Sequence, residues 1–344
     1  MAQINVKSNA MKAMILAAGF GTRLFPLTID RTKPAIPFLG KPLVGYVAEY
    51  LAKFGFTDIV VNLHHQPDSV IKALGDGSNF GVRIHYTFEQ PTILGTAGAL
   101  DNARDLLSDN TFLVINGKIV TDIDLAAALR THRETGALAT MVLKPNEKSE
   151  KFTVIETENG LVKMFGGYPE PIFADEIQHP KSKIQNQPLM YTGIQILEPR
   201  VFDFIPPRQE SDIISVFYRP AIAAGEKIAA HVATGNWFEL STIQRYLNIS
   251  LAMLGGKNGG VTIGKNCRIA ENASVRDSIL WDNVVIEKDA IVSRSVLGDG
   301  VQVKSHQKIE NAAVVRADLV SEVEMPEKAL SGFFDQDNYV VPLR

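Results

Sequence analysis

The stretch Leu16-Ala17-Ala18-Gly19-Phe20-Gly21-Thr22-Arg23-Leu24 gathers residue types that bind phosphate oxygens. An apolar run from Ala13 to Ala18 precedes it and reads as a buried strand. Gly19 and Gly21 let the backbone come close to a bulky group and point several N–H groups at it. Arg23 and Lys33 add fixed and mobile positive charge to the same place. Together these residues suit a polyphosphate. Two better-known phosphate loops are excluded. The dinucleotide fingerprint needs a third glycine where Leu24 stands. The P-loop needs Gly-Lys-Ser/Thr where Leu24-Phe25-Pro26 stands. A lone Gly-x-Gly also occurs in ordinary strand–turn–helix links, so the pair decides little by itself.

The elements that must position this loop follow from periodicity. Over residues 11–255, short apolar strands alternate with helical stretches. The strands are expected at Met14–Ala18, Ile59–Leu63, Ile84–Phe88, Phe112–Ile115, Ala139–Leu143 and Gly193–Leu197, with helices such as Val44–Phe54 and Asp68–Leu74. This alternation predicts an α/β, Rossmann-like, mostly parallel sheet with helices on both faces. Ligands in such sheets sit outside the carboxyl ends of the strands. The loops Gly19–Arg23, Glu89–Gly98 and Asn116-Gly117-Lys118 all follow strands and can share one crevice.

The texture changes after Gly255-Gly256-Lys257-Asn258-Gly259-Gly260, a glycine-rich linker. Ile263, Ile269 and Val275 recur every six residues, and the spacing resumes through Leu280, Ile286, Val292, Leu297, Val303, Ile309 and Val315. Small, polar and glycine residues fill the gaps, which predicts a short parallel β-helix over 257–318. The tail, 319–344, reads as a surface extension that packs a few apolar residues on the body and carries no chemistry.

Read as one block, Leu16 to Leu43, with Gly-x-Gly-Thr-Arg-Leu, Pro26-Leu27-Thr28, Lys33-Pro34 and Gly40-Lys41-Pro42-Leu43, closely resembles the signature of the sugar-1-phosphate nucleotidyltransferases. These enzymes are also called nucleotide-sugar pyrophosphorylases. The look is nearest to mannose-1-phosphate guanylyltransferase-like members, whose resemblance implies that the β-helix is left-handed. It also implies a reaction: a sugar 1-phosphate oxygen attacks the α-phosphorus of a nucleoside triphosphate, and pyrophosphate leaves. On that resemblance Leu16, Ala18, Gly19, Gly21 and Thr22 border the nucleotide, Arg23 holds its β- and γ-phosphates, and Lys33 neutralises charge at the reacting centre. Glu89-Gln90-Pro91 and Leu94-Gly95-Thr96-Ala97-Gly98 resemble the segment that reads base and ribose. Gly98 is then expected to leave room for the base. Asn116 and the strand edge at Thr192-Gly193 resemble sugar contacts.

Three positions depart from the family pattern. The aspartate that binds the catalytic magnesium after Asn-Gly is replaced by Lys118. The second magnesium aspartate, after a Trp-x pair, is replaced by Glu239. A Glu-Lys-Pro that grips the sugar phosphate is replaced by Gly166-Gly167-Tyr168-Pro169. Glu239 still offers oxygen to magnesium, whereas an ammonium has donors and no acceptor. Three readings stay open. Lys118 supplies charge while Glu239 and the substrate phosphates hold one magnesium. Or the site binds a nucleotide-sugar without turnover, like the silent subunit of the eukaryotic GDP-mannose pyrophosphorylase. Or Asp122 or Asp124 takes over the metal, against the simpler expectation that they cap the next helix.

The chain has 344 residues and a formal net charge of −3, so nothing points to nucleic acid. The lone Cys267 allows no internal disulfide and fits a cytoplasmic protein. Met1 to Ala10 lacks the apolar core of a signal peptide, and no run is long enough for a membrane span. His64-His65 has no zinc-like companions and reads as a loop pair. His306 lies in a polar turn, which leaves the β-helix an assembly role, with a homo-oligomer expected. Phe152, Met164 and Phe165 are expected in packing.

Overall fold

The computed structural model describes residues 11–146, 154–165, 188–255 and 260–343. Its principal elements in the first region, in chain order, are β1 (Lys12–Leu16), α1 (Leu43–Lys53), β2 (Asp58–Leu63), α2 (Pro67–Leu74), β3 (Arg83–Phe88), α3 (Gly95–Asn102), β4 (Phe112–Asn116), β5 (Ile119–Thr121), α4 (Leu125–Thr135) and β6 (Ala139–Pro145). They continue with β7 (Val154–Glu158), β8 (Leu161–Phe165), β9 (Leu189–Leu197), β10 (Ile228–Val232), β11 (Trp237–Glu239) and α5 (Ile243–Met253).

Nine strands form one sheet in the order β3-β2-β1-β4-β9-β6-β10-β8-β7. The site-bearing half, β3 to β4, is parallel throughout. β9 runs antiparallel to both β4 and β6, so the sheet is mixed but mostly parallel. Alternation along β1 explains the two covered faces. Ala13 and Ile15 join a core with α1, α2 and α4, while Met14 joins another with α3, Phe202, Phe217 and Tyr218.

The first strand ends earlier than the apolar run implies. Its last ladder residue is Leu16, because the Ala17 amide donates to the Asn62 side chain (2.8 Å) rather than to a neighbouring strand. That early exit frees Ala17 and Ala18 to line the mouth of a pocket.

Beyond residue 260 the chain winds through three parallel ladders into a β-helix. Equivalent residues lie 17 apart, as in the Asn266 to Asn283 side-chain hydrogen bond. Each coil is therefore two steps of six and one of five, so the break in the six-residue period is part of the repeat. The register corrects one position. Leu297 pairs with Val314, which faces the β-helix interior with Leu280, while Val315 points outward. At the open first coil Ile263 and Ile269 are exposed, whereas their successors Leu280 and Ile286 are buried.

The tail is more than the surface extension expected from its composition. Asn338–Pro342 pairs antiparallel with Ala312–Arg316, and Phe333–Asp335 adds a further strand. Tyr339, Val341 and Leu343 are buried in a cluster that also contains Leu24, Phe25 and Leu27 from the glycine-loop segment, Tyr246 of α5 and Trp281 of the β-helix. Arg31 reinforces that junction: its guanidinium pairs with Asp299 (2.5 Å) and lies 5.0 Å over the Trp281 ring. Residues 1–10, 256–259, Phe152 and the Gly166-Gly167-Tyr168-Pro169 departure lie outside the described residues, as does the Phe165 side chain. Among the described residues no helix is long and apolar enough to cross a membrane.

Candidate active site

At the carboxyl ends of β1, β2 and β4 lies a pocket of about 260 Å³. The glycine loop forms one wall through Leu16, Ala18, Gly19 and Gly21. Gly21 needs its identity twice: its φ is +69°, and a Cβ would press on the Lys33 and Thr28 side chains at 3.3 Å. Gly19 is different. A Cβ there would meet no protein atom within 4 Å, so its bare backbone faces open space. Lys33, Asn116 and Lys118 bring the cationic lining, with Lys33 packed directly beside Gly21, and Gly95 and Thr96 complete the pocket. Thr22 sits in the short helical turn Thr22–Leu24, behind the lining, and Arg23 in the same turn is exposed at the rim.

Lys33 is buried to 9% exposure. Burial first, then the neighbouring charges of Lys118 and Arg23, push its pKa down to about 8, with Glu239 pulling the other way. These positive groups thus sense one another across a short distance. Such an arrangement is complementary to an anion of high charge.

β5 and β11 form a two-stranded ladder that aligns Ile119 with Glu239, and the Leu240 amide donates to the Lys118 carbonyl. This pairing brings the Lys118 ammonium against the Glu239 carboxylate as an ion pair. Glu239, expected to hold a magnesium together with the substrate phosphates, has its charge met by an ammonium in this arrangement. Asp124 caps α4 by accepting from Ala126 and Ala127, and Asp122 accepts from the backbone and side chain of Asn236. Neither turns to the pocket. No group of three His, Cys, Asp or Glu able to hold a metal occurs among the described residues. The residues present do not fit a protein-held magnesium.

Two further expectations change. Glu89 is wholly buried, and both its oxygens are used inside the protein: Oε1 accepts from Asn62 Nδ2 (2.5 Å) and Oε2 from the Leu94 amide (2.7 Å). With the Ala17 amide on Asn62 Oδ1, this makes a buried relay joining the glycine loop to the segment before α3. Glu89 therefore positions the pocket walls. The side of Gly98 that a Cβ would occupy is filled by protein rather than left open for a base, because a Cβ there would lie 2.6 Å from the Gln209 carbonyl oxygen. Gly95 is held likewise under the Ser211 carbonyl, with φ +70°. Thr96 Oγ1 donates to Asp212 and accepts from the Ile213 amide, tying the same segment down.

Thr192 is also corrected. Its hydroxyl is buried and donates to the Val142 carbonyl (2.7 Å), so the side chain anchors β9. Gly193, at φ +79°, leaves space that the Asn116 amide fills. Asn62, Pro34 and Ile93 line the pocket and were missed from sequence. Asn62 carried a usable signal, a lone amide within Ile59-Val60-Val61-Asn62-Leu63. His64 and His65 pack on Phe20 (5.6 and 5.3 Å), and His64 Nδ1 lies 2.9 Å from the Glu89 carbonyl, a loop pair without metal partners among the described residues. His306 sits in an exposed turn, 4.0 Å from Asp289.

The Nucleotidyl transferase family model matches residues 12–255, and the GMPPB C-terminal domain model matches residues 252–326. The chain belongs to the sugar-1-phosphate nucleotidyltransferase family. It is 33% identical over 310 residues to the UTP–glucose-1-phosphate uridylyltransferase of Synechocystis, covering 85% of this chain and 76% of that one. It is 29% identical over 373 residues to the mannose-1-phosphate guanyltransferase of Schizosaccharomyces pombe, covering 92% and 99%. A solved Bacillus anthracis structure described as a glucose-1-phosphate thymidylyltransferase shares the fold, with TM-score 0.58, 23% identity, and coverage of 71% of this chain and 95% of that one. Nucleotidyltransferases of this family generally use a divalent metal.

Proposed function

We propose that the protein joins a nucleoside monophosphate from GTP to mannose 1-phosphate, releasing pyrophosphate. The observation that carries this is the convergence of Lys33 and Lys118 on a pocket walled by the Gly19–Gly21 backbone, with Arg23 at its rim. In-line transfer at phosphorus asks the protein for position and charge rather than covalent chemistry. The Gly19–Gly21 amides approach the phosphates, Arg23 meets the outgoing β- and γ-phosphates, and Lys33 neutralises the oxygens of the α-phosphate. Asn116 and the backbone at Gly193 are suited to the sugar. The choice of guanine and mannose leans on the mannose-1-phosphate relatives, while the uridylyltransferase relative makes UTP and glucose 1-phosphate the first competitor.

The test is pyrophosphate release, screening the common nucleoside triphosphates against a panel of sugar 1-phosphates with magnesium, the divalent ion expected to accompany the triphosphate. Release with one pair supports the transferase. A second reading, a nucleotide-sugar-binding regulatory subunit, is favoured by the Lys118–Glu239 ion pair. Binding without any release would select it. The reading includes a cytoplasmic homo-oligomer whose left-handed β-helix serves assembly, with the exposed Ile263 and Ile269 at its open end as the contact; sedimentation of an Ile263→Glu variant checks that.

A further inference from the structure

The geometry points to Lys118 as the resident cation of this site, so that a triphosphate binds here without a divalent ion held by the protein. The inference deepens the nucleotide-binding reading above and rests on it. Lys118 lines the pocket with Gly19, Gly21 and Lys33, and its side chain keeps 30% exposure. Glu239, only 12% exposed, grips the ammonium from the protein side. The ladder between Ile119–Thr121 and Trp237–Glu239 makes this pairing a property of the backbone rather than of two wandering side chains. A carboxylate that orients a lysine leaves the other N–H groups of the ammonium free to meet phosphate oxygens.

The alternative occupant is a divalent ion, and the donor set argues against it. Such an ion wants several oxygen ligands, of which at least one or two are carboxylates. Asp122 and Asp124 are committed to Asn236 and to the start of the helix Leu125–Thr135. Glu239 is neutralised. A divalent cation placed beside this pair would also meet the positive charge of Lys33. The bond changes of the reaction are unaltered by this substitution. The new bond joins the sugar phosphate oxygen to the α-phosphorus, the bond to the β-phosphate oxygen breaks, and the electron pair leaves with pyrophosphate. No proton has to move, and Lys118 supplies charge and hydrogen bonds throughout.

The experiment measures GTP and UTP binding calorimetrically with excess chelator and again with magnesium, for the full chain and for Lys118→Asp, Lys118→Arg and Lys118→Ala. For the unaltered protein, affinity should agree within about threefold between the two conditions. Lys118→Asp should weaken binding about tenfold or more in chelator, since two carboxylates then face the phosphates, and should recover with magnesium. Lys118→Arg should keep metal-free binding, and Lys118→Ala should lose it in both conditions. A wild-type affinity that collapses about tenfold or more on chelation overturns the inference while leaving the nucleotide site intact. Equal binding by all four proteins in chelator overturns it too. Absence of any nucleotide binding in both conditions overturns the functional reading itself. Melting curves of the free variants show that each is folded.

Discussion

Exchanging the chemical roles of Asn62 and Glu89 tests whether the two pocket walls are held by one relay. The relay has three donors, the amides of Ala17 and Leu94 and the Asn62 side-chain nitrogen. It has three acceptors, Asn62 Oδ1 and the two Glu89 oxygens. Every group is matched, and each is buried or nearly so. Glu89→Gln turns one acceptor into a donor. Turning the new amide towards Leu94 strands that N–H. Turning it towards Asn62 forces the Asn62 amide to flip and strands the Ala17 N–H instead. One buried donor is left over in either arrangement, at a cost of about 1–3 kcal/mol. Asn62→Asp alone sets two carboxylates face to face, at a similar or larger cost. The double variant restores the count. Its new carboxylate at position 62 accepts from Ala17 and from the new amide at position 89, whose own oxygen accepts from Leu94. Its loss should be smaller than the sum of the singles by about 2 kcal/mol. Urea denaturation measures this. Nucleotide affinity should fall in each single and return in the double. A double variant whose loss equals the sum of the singles would refute the relay.

The remaining predictions concern charge and space. Lys33, pushed down to about 8, is charged and ready for phosphate below that pH, so nucleotide affinity should fall as pH rises through 8. Calorimetry in buffers of different ionisation heat should show proton uptake on binding near pH 8, and Lys33→Met should abolish it. The unfolded chain keeps that proton to about 10.5, so the free protein should gain stability from this group between about 8 and 10.5; a melting series across that range reads the sign. Gly98→Ala should destabilise by about 1–3 kcal/mol through its clash with the Gln209 carbonyl. Gly19→Ala should leave the free protein within about 0.5 kcal/mol of wild type yet weaken nucleotide binding, and equal melting losses for the two would contradict the assignment. Asp299→Ala should cost about 1 kcal/mol by freeing the half-buried Arg31, read by thermal melting.

Local signals were legible in the residues. The glycine loop, the strands that feed the pocket, Lys33 and Lys118 were all readable because each depends on neighbours close in sequence. The limits of that reading are physical. What Gly98 accommodates is set by Gln209, more than a hundred positions away, so spacing could show a tight place but not its occupant. Glu89 carries the same charge whether it meets a ligand or a buried amide, and only the fold brings Asn62 to it. Thr192 looks polar in sequence and turns inward because β6 offers it a carbonyl. The six-residue period exposed the β-helix, but the position of Val315 depended on the coil's fixed length of 17, which the last step of the pattern hid. The tail gave no period because it adds antiparallel strands to a parallel face.

The cluster that unites Leu24, Phe25 and Leu27 with Tyr246, Trp281 and Val341 has a bearing on ancestry and engineering. Two family models meet near residue 252, yet no seam in the packing follows that line. A chimera cut there would transplant half of a core and leave the other half facing water. The phosphate-facing segment can therefore be inherited only together with the coil that shelters it. Substitutions on the coil's outer face, remote from any substrate, become part of what selection on catalysis can see.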